Sequence, residues 1–138
     1  MITVQTTIPV DVTIAWEFWV TPYHIMQWNQ ASADWHTTAA TNDVRVGGEL
    51  AWTMAAKDGS FSFVFGGTYT AVEHHKHLAY TLGDGRKVTV DFVTTREGTQ
   101  IIERFDAESV NPPERQQAGW QAILDSYANY TVTASMRR

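Results

Sequence analysis

The chain has 138 residues, 43% hydrophobic and 18% charged, with six Trp, six Phe and five Tyr; this is the length of one domain and too apolar for a disordered segment, which cannot bury enough surface to offset its ordering entropy. Fifteen Asp and Glu against ten scattered Lys and Arg leave a net charge of −5, which argues against a nucleic-acid backbone or an anionic lipid surface as partner. No cysteine is present, which excludes a disulfide framework, a thiolate zinc site and a cysteine nucleophile, while the lack of a leader pattern in MITVQTTIPVD and of any membrane-span-length apolar run makes a cytoplasmic location the expectation.

Residues 2 to 8, ITVQTTI, alternate apolar and polar and are rich in β-branched types, which predicts a strand that Pro9 ends because it has no N–H to pair. Asp11 is placed to cap VTIAWEFWV, whose apolar side chains occupy most of the helical circumference and call for cover on several sides. Thr21-Pro22 stops this helix and starts a second, YHIMQW, with Thr as cap and Pro at the first helical position. Residues 29 to 43 read as a polar stretch with Trp35 and His36 embedded in it.

From about residue 46 the period becomes two, cut by Gly47-Gly48, Asp58-Gly59, Asp84-Gly85 and Gly98-Thr99. That is the pattern of an antiparallel meander. Alternation sends Leu50, Trp52 and Met54 to one face, joined by Phe61, Phe63 and Phe65, Leu78, Tyr80 and Leu82, Val88, Val90 and Phe92, and Ile101 and Phe105. Past Asn111-Pro112-Pro113 a long helix runs to the region of Met136. On it Gln116, Trp120, Ile123, Leu124, Tyr127, Tyr130 and Thr131 fall within an arc of about 120°. The predicted fold class is α+β: a curved antiparallel sheet of about six or seven strands wrapped around a long C-terminal helix, with two short helices after the first strand, as one domain over residues 1–138. Where such a sheet and helix diverge, large aromatic side chains are needed to wall the space.

Pro9 before a helix carrying Val12 and Trp16, Thr21-Pro22 with Trp28, Gly47-Gly48, Gly67-Thr68-Tyr69 leading to Val72, Leu78-Ala79-Tyr80-Thr81, Gly98-Thr99, and Gly119-Trp120 with Ile123-Leu124 together resemble the activator-of-heat-shock-protein-90-ATPase homologue family. That family belongs to the START-like, birch-pollen-allergen-like helix-grip (SRPBCC) superfamily. The resemblance spans essentially the whole chain and implies a helix-grip fold with a deep hydrophobic cavity between sheet and long helix. It does not fix an activity, since members of the superfamily include lipid and sterol carriers, polyketide cyclases and aromatases, ring-hydroxylase domains and co-chaperones.

Glu103 is the most informative polar residue. Between inward-facing Ile101 and Phe105 it shares their face, and a carboxylate there must be paired, hydrated or protonated. It is a candidate cavity acid or base, against the alternative of a strand-end Glu that reaches water or a core partner. His36 beside Asp34 is the other catalytic candidate, against a solvated His on a loop anchored by its tryptophans. His74, His75 and His77 suggest a metal pair at first sight, but Lys76 interrupts them where a strand ends and no third ligand is evident, so surface histidines are expected and neither metal nor cofactor. Motifs for nucleophilic-elbow or phosphate-loop chemistry are absent from the sequence.

Alternation and the implied fold give a candidate ligand-binding set of Trp28, Trp35, Trp52, Met54, Phe63, Phe65, Tyr69, Val90, Glu103, Trp120, Leu124 and Tyr127, with His36 as a second polar contact. The leading expectation is a protein that binds a hydrophobic or aromatic small molecule. A cyclase or dehydratase using Glu103 or His36, and a module that binds heat-shock protein 90, are the alternatives. The sequence leaves the oligomeric state open.

Overall fold

A computed structural model describes residues 1–136 of the chain. The elements follow in the order β1 (Ile2–Ile8), α1 (Val12–Val20), α2 (Pro22–Trp28), β2 (Trp35–Asn42), β3 (Glu49–Ala56), β4 (Ser62–Glu73), β5 (His77–Leu82), β6 (Lys87–Thr95), β7 (Gly98–Phe105) and α3 (Pro113–Ser135). The strands form one antiparallel seven-stranded sheet in the order β1-β7-β6-β5-β4-β3-β2, a meander whose last strand pairs with β1, and the sheet curls around α3. No helix among the described residues is long and apolar enough to cross a membrane.

Local chemistry accounts for the helix boundaries. The Asp11 carboxylate accepts from the Thr13 backbone N–H and hydroxyl, both at 2.8 Å, satisfying a donor that the first turn of α1 leaves free. Thr21 ends α1 and begins α2, with Pro22 at the first helical position. In α1 the residues Ala15, Trp16, Phe18 and Trp19 are all buried, so cover comes from several directions as its all-round apolarity requires.

The long helix is seated along one margin of the sheet. Its glutamines bond to the outward edge of β1: Gln117 Nε2 donates to the Thr3 carbonyl and Gln121 Nε2 to the Gln5 carbonyl, each at 3.1 Å, while the Gln5 N–H donates to Gln121 Oε1 at 3.3 Å. These amides satisfy an edge that would otherwise stay unpaired. On the inner side the Tyr127 hydroxyl donates to the Ala15 carbonyl at 2.6 Å, tying α3 to α1. Gln116, also buried, bonds Glu108 and Asn111 and holds the preceding loop against the start of the helix.

Two features differ from the sequence expectation. The stretch 29 to 43 contains an edge strand, β2, bulged between Thr37 and Ala39 and paired with β3. Its Thr and Ala residues carry no apolar alternation because only one face, marked by buried Thr37, meets the interior. The histidines are not simply solvated either. The His74 and His75 rings lie 5.4 and 5.9 Å from Trp16 and cover it, and His77 Nδ1 bonds Asp91 at 2.6 Å. No group suited to hold a metal ion occurs among the described residues.

Two glycines give opposite expectations. At Gly98 φ is +131° and an added Cβ would run into the Ile8 carbonyl oxygen and Pro9, so Gly98→Ala should lower the unfolding free energy by more than about 2 kcal/mol. Gly119 lies in α3 with open space around it, so Gly119→Ala should raise it by about 0.5–1 kcal/mol. Urea denaturation of both variants checks the pair.

Candidate functional site

Between the sheet and α3 lies a void of about 40 Å³ lined by Trp19, Trp28, Asn29, Trp52, Met54, Phe65, Tyr80, Glu103, Trp120 and Ile123. The deep cavity implied by the resemblance is thus, in this structure, room for a few water molecules. Every layer contributes: α1 gives Trp19, α2 gives Trp28, β3 and β4 give Trp52, Met54 and Phe65, β5 gives Tyr80, β7 gives Glu103, and α3 gives Trp120 and Ile123. Its deep wall is fully buried, whereas Met54, Phe65, Trp120 and Ile123 are half-buried and form the rim.

The aromatic walls hold each other in edge-to-face and tilted contacts. The Trp19, Trp28 and Tyr127 rings meet at 4.9 to 5.2 Å, Trp28 contacts Trp52 at 6.0 Å, and Trp52 contacts Phe65 at 5.6 Å. The Trp28 indole N–H donates to the Phe18 carbonyl at 2.9 Å, which fixes that ring's orientation. Trp120 spans the gap between helix and sheet: it stacks on Phe105 at 3.9 Å with planes 10° apart and meets Phe65 edge-on at 5.9 Å.

Glu103 points inward because β7 pairs without a bulge with β6 from Gly98 to Phe105 and with β1 from Thr99 to Phe105, so alternation is preserved along it. Its cross-strand neighbours are Val4 and Val90, both buried, and it is itself 7% exposed. No described residue is hydrogen-bonded or ion-paired to its carboxyl, and burial pushes that carboxyl up to about 8. At neutral pH it is mainly the uncharged acid, able to donate as well as accept. Burial, with the Glu103 charge as a smaller cause, raises the Tyr80 phenol well above its ordinary range, so it stays protonated. The Trp52 indole N–H is buried without an acceptor among the described residues.

Of the residues singled out from sequence, Trp28, Trp52, Met54, Phe65, Glu103 and Trp120 come together around the void. Val90, Leu124, Tyr69 and Tyr127 are buried in the core but do not line it; Tyr69 spends its hydroxyl on Asn42 Oδ1 at 2.5 Å. Phe63 has the expected parity, opposite Met54, but does not line the void and is 41% exposed. With Trp35 and Phe61 it forms an outer aromatic cluster, ring centroids 6.0 to 6.2 Å apart. His36 lies apart from the void: alternation on β2 turns Thr37 inward and leaves His36 exposed. Sequence reasoning left Trp19, Asn29, Tyr80 and Ile123 out of the lining. Tyr80 and Ile123 carried a signal, since both belong to inward-facing sets, whereas an all-round apolar helix gives no clue which face Trp19 presents.

A seven-stranded antiparallel sheet wrapped on one C-terminal helix, with two short helices after the first strand and an acid walled in by aromatics, defines a helix-grip protein. Residues 9–131 match the family model described as activator of Hsp90 ATPase homolog 1-like protein, and the chain belongs to that family. The solution structure of an AHSA1-like protein from Aeromonas hydrophila is similar at 44% identity and a TM-score of 0.92, covering 98% of this chain and 94% of that one. A protein of Cytophaga hutchinsonii is similar at 49% identity and a TM-score of 0.83, covering 99% of this chain and 95% of that one. A Chromobacterium violaceum protein, at 19% identity, a TM-score of 0.85 and coverage of 95% and 96%, shares the fold. Among curated proteins none matches.

The buried acid gives the protein a signature in pH. The unfolded chain releases this proton near 4.5 and the folded chain holds it to about 8, so over that window the folded state binds more protons and loses stability as pH rises. Glu103→Gln removes this loss. The variant should gain on the wild type progressively from pH 5 to 8.5, by on the order of a few kcal/mol, and urea titrations of both proteins at several pH values measure the difference.

Proposed function

We propose that this chain binds a small apolar or aromatic molecule between the sheet and α3, with the Glu103 carboxyl as its main polar contact. The observation that carries this reading is an acid with no partner among the described residues inside a wall of six aromatic rings. Burying such a group costs stability, and a ligand that hydrogen-bonds to it offsets the cost. Sites that enclose drug-sized molecules run to roughly 300–1,000 Å³, so uptake displaces the half-buried rim of Met54, Phe65, Trp120 and Ile123. Trp120 is part of that rim and bridges the helix to both β7 and β4, so its displacement breaks two ring contacts at once.

A second reading draws on the protonation state of Glu103. A neutral acid held among aromatics suits proton transfer to a bound polyketide-like substrate, as in a cyclase or dehydratase. Association with heat-shock protein 90, the partner in the family's name, would instead use the outer surface and survive substitutions in the void.

A panel of lipids, flavonoids and polyketide-like aromatics tests the first reading. A binder should raise the melting temperature and quench tryptophan fluorescence, and Trp120→Ala should change its affinity at least about tenfold, the scale of a lost aromatic contact. No shift and no quenching across the panel would remove the reading. If a member of the panel is turned over, Glu103→Gln should keep its binding and abolish product formation; unchanged turnover takes Glu103 out of the chemistry.

A further inference from the structure

We propose that the polar group this site receives is an organic cation, an amine or methylated ammonium lodged beside Glu103 among the indole rings, with the apolar remainder of the ligand leaving past Met54 and Phe65. The inference rests on the reading that the void binds a ligand, and it names the charge of that ligand.

Four of the ten lining residues are Trp, the side chain whose face attracts a cation most strongly, and one Phe and one Tyr add to them. Among the described residues no Lys, Arg or His lines the void, so none of them repels a positive charge there or competes for the carboxyl. The Trp52 indole N–H, which would favour an acceptor, is shut off from solvent. An anionic ligand would set two acids side by side in a poorly solvated space. A neutral alcohol would use the carboxyl but not the ring electrostatics. The net charge of −5 also draws cations toward the protein.

Around Glu103 the sheet presents Val4 from β1 and Val90 from β6, with Ile101 and Phe105 on its own strand. Tyr80 from β5, Trp19 from α1, Trp28 and Asn29 from α2 and its end, and Trp120 and Ile123 from α3 face the same void. Tyr80 is the other titratable group in the lining, and it stays protonated over the range that matters. Binding a cation therefore draws the proton off Glu103, and one proton is released for each amine bound below pH 8.

The experiment compares three probes of one shape, 3-phenylpropylamine, 3-phenylpropanol and 3-phenylpropionate, by calorimetry on the full chain from pH 6 to 8.5. The amine should bind at least about tenfold tighter than the alcohol at pH 8.5, and the acid weakest. Amine affinity should rise about tenfold per pH unit up to about 8 and then level off, and its heat at pH 7 should vary with the buffer's ionisation enthalpy. Glu103→Gln should lose the amine preference and its pH dependence, and a cooperative thermal unfolding transition reports that the variant is folded. If the alcohol binds as tightly as the amine, or amine binding is flat in pH, the cation assignment is overturned and uptake into the void stands. If none of the three binds at millimolar concentration, both the assignment and the reading beneath it fall. The wild-type pH profile decides the matter without any variant.

Discussion

One helix has to cover one face of a seven-stranded sheet, and this mismatch of width shapes everything else. Seven strands laid flat span about 29 Å at the usual interstrand spacing, whereas a helix with its side chains is about 10–12 Å across. The sheet closes part of the gap by curling, and α1 and α2 cover another part. What is left between α3 and the β3–β4 region is spanned by rings, with Trp120 stacked on Phe105 on one side and edge-on to Phe65 on the other. Aliphatic side chains are too short for that reach, which is why the aromatic content of the chain is concentrated where the layers part.

The same geometry creates the site. Rings set edge to face do not tile space completely, and the void sits where Trp19, Trp28, Trp52 and Trp120 converge. Into this remainder the strict alternation of β7 delivers a carboxyl flanked by Val4 and Val90. The acid places a group that can donate and accept beside the void, at a stability cost that the fold carries as pH rises through the neutral range.

Most of the architecture was legible because it rests on short-range rules: Pro and Gly punctuation for the turns, Thr21-Pro22 for the break between helices, and period-two alternation for β3 to β7. The inward direction of Glu103 was legible for the same reason, since Ile101 and Phe105 bracket it and no bulge intervenes. β2 was not, because an edge strand of Thr and Ala buries too little to leave a pattern. Phe63 and His36 show a second limit. Parity assigns a face, but how far along the strand the covering helix extends, and which face of a weak strand turns inward, are set by tertiary packing. Trp19 shows a third, since the face an all-apolar helix turns toward a void depends on the partners on every side.

The glutamine contacts between α3 and the edge of β1 bear on how helix and strand are aligned. Four residues of helix advance about 6 Å and two residues of strand about 6.7 Å, so Gln117 at Thr3 and Gln121 at Gln5 meet their carbonyls in step, like the marks of a vernier. Helix and strand run in the same direction along this line, and a slide of either breaks both contacts together. The register of helix on strand is thus set at two points one helical turn apart, and the Tyr127 bond to the Ala15 carbonyl fixes the helix a third time from the inner side.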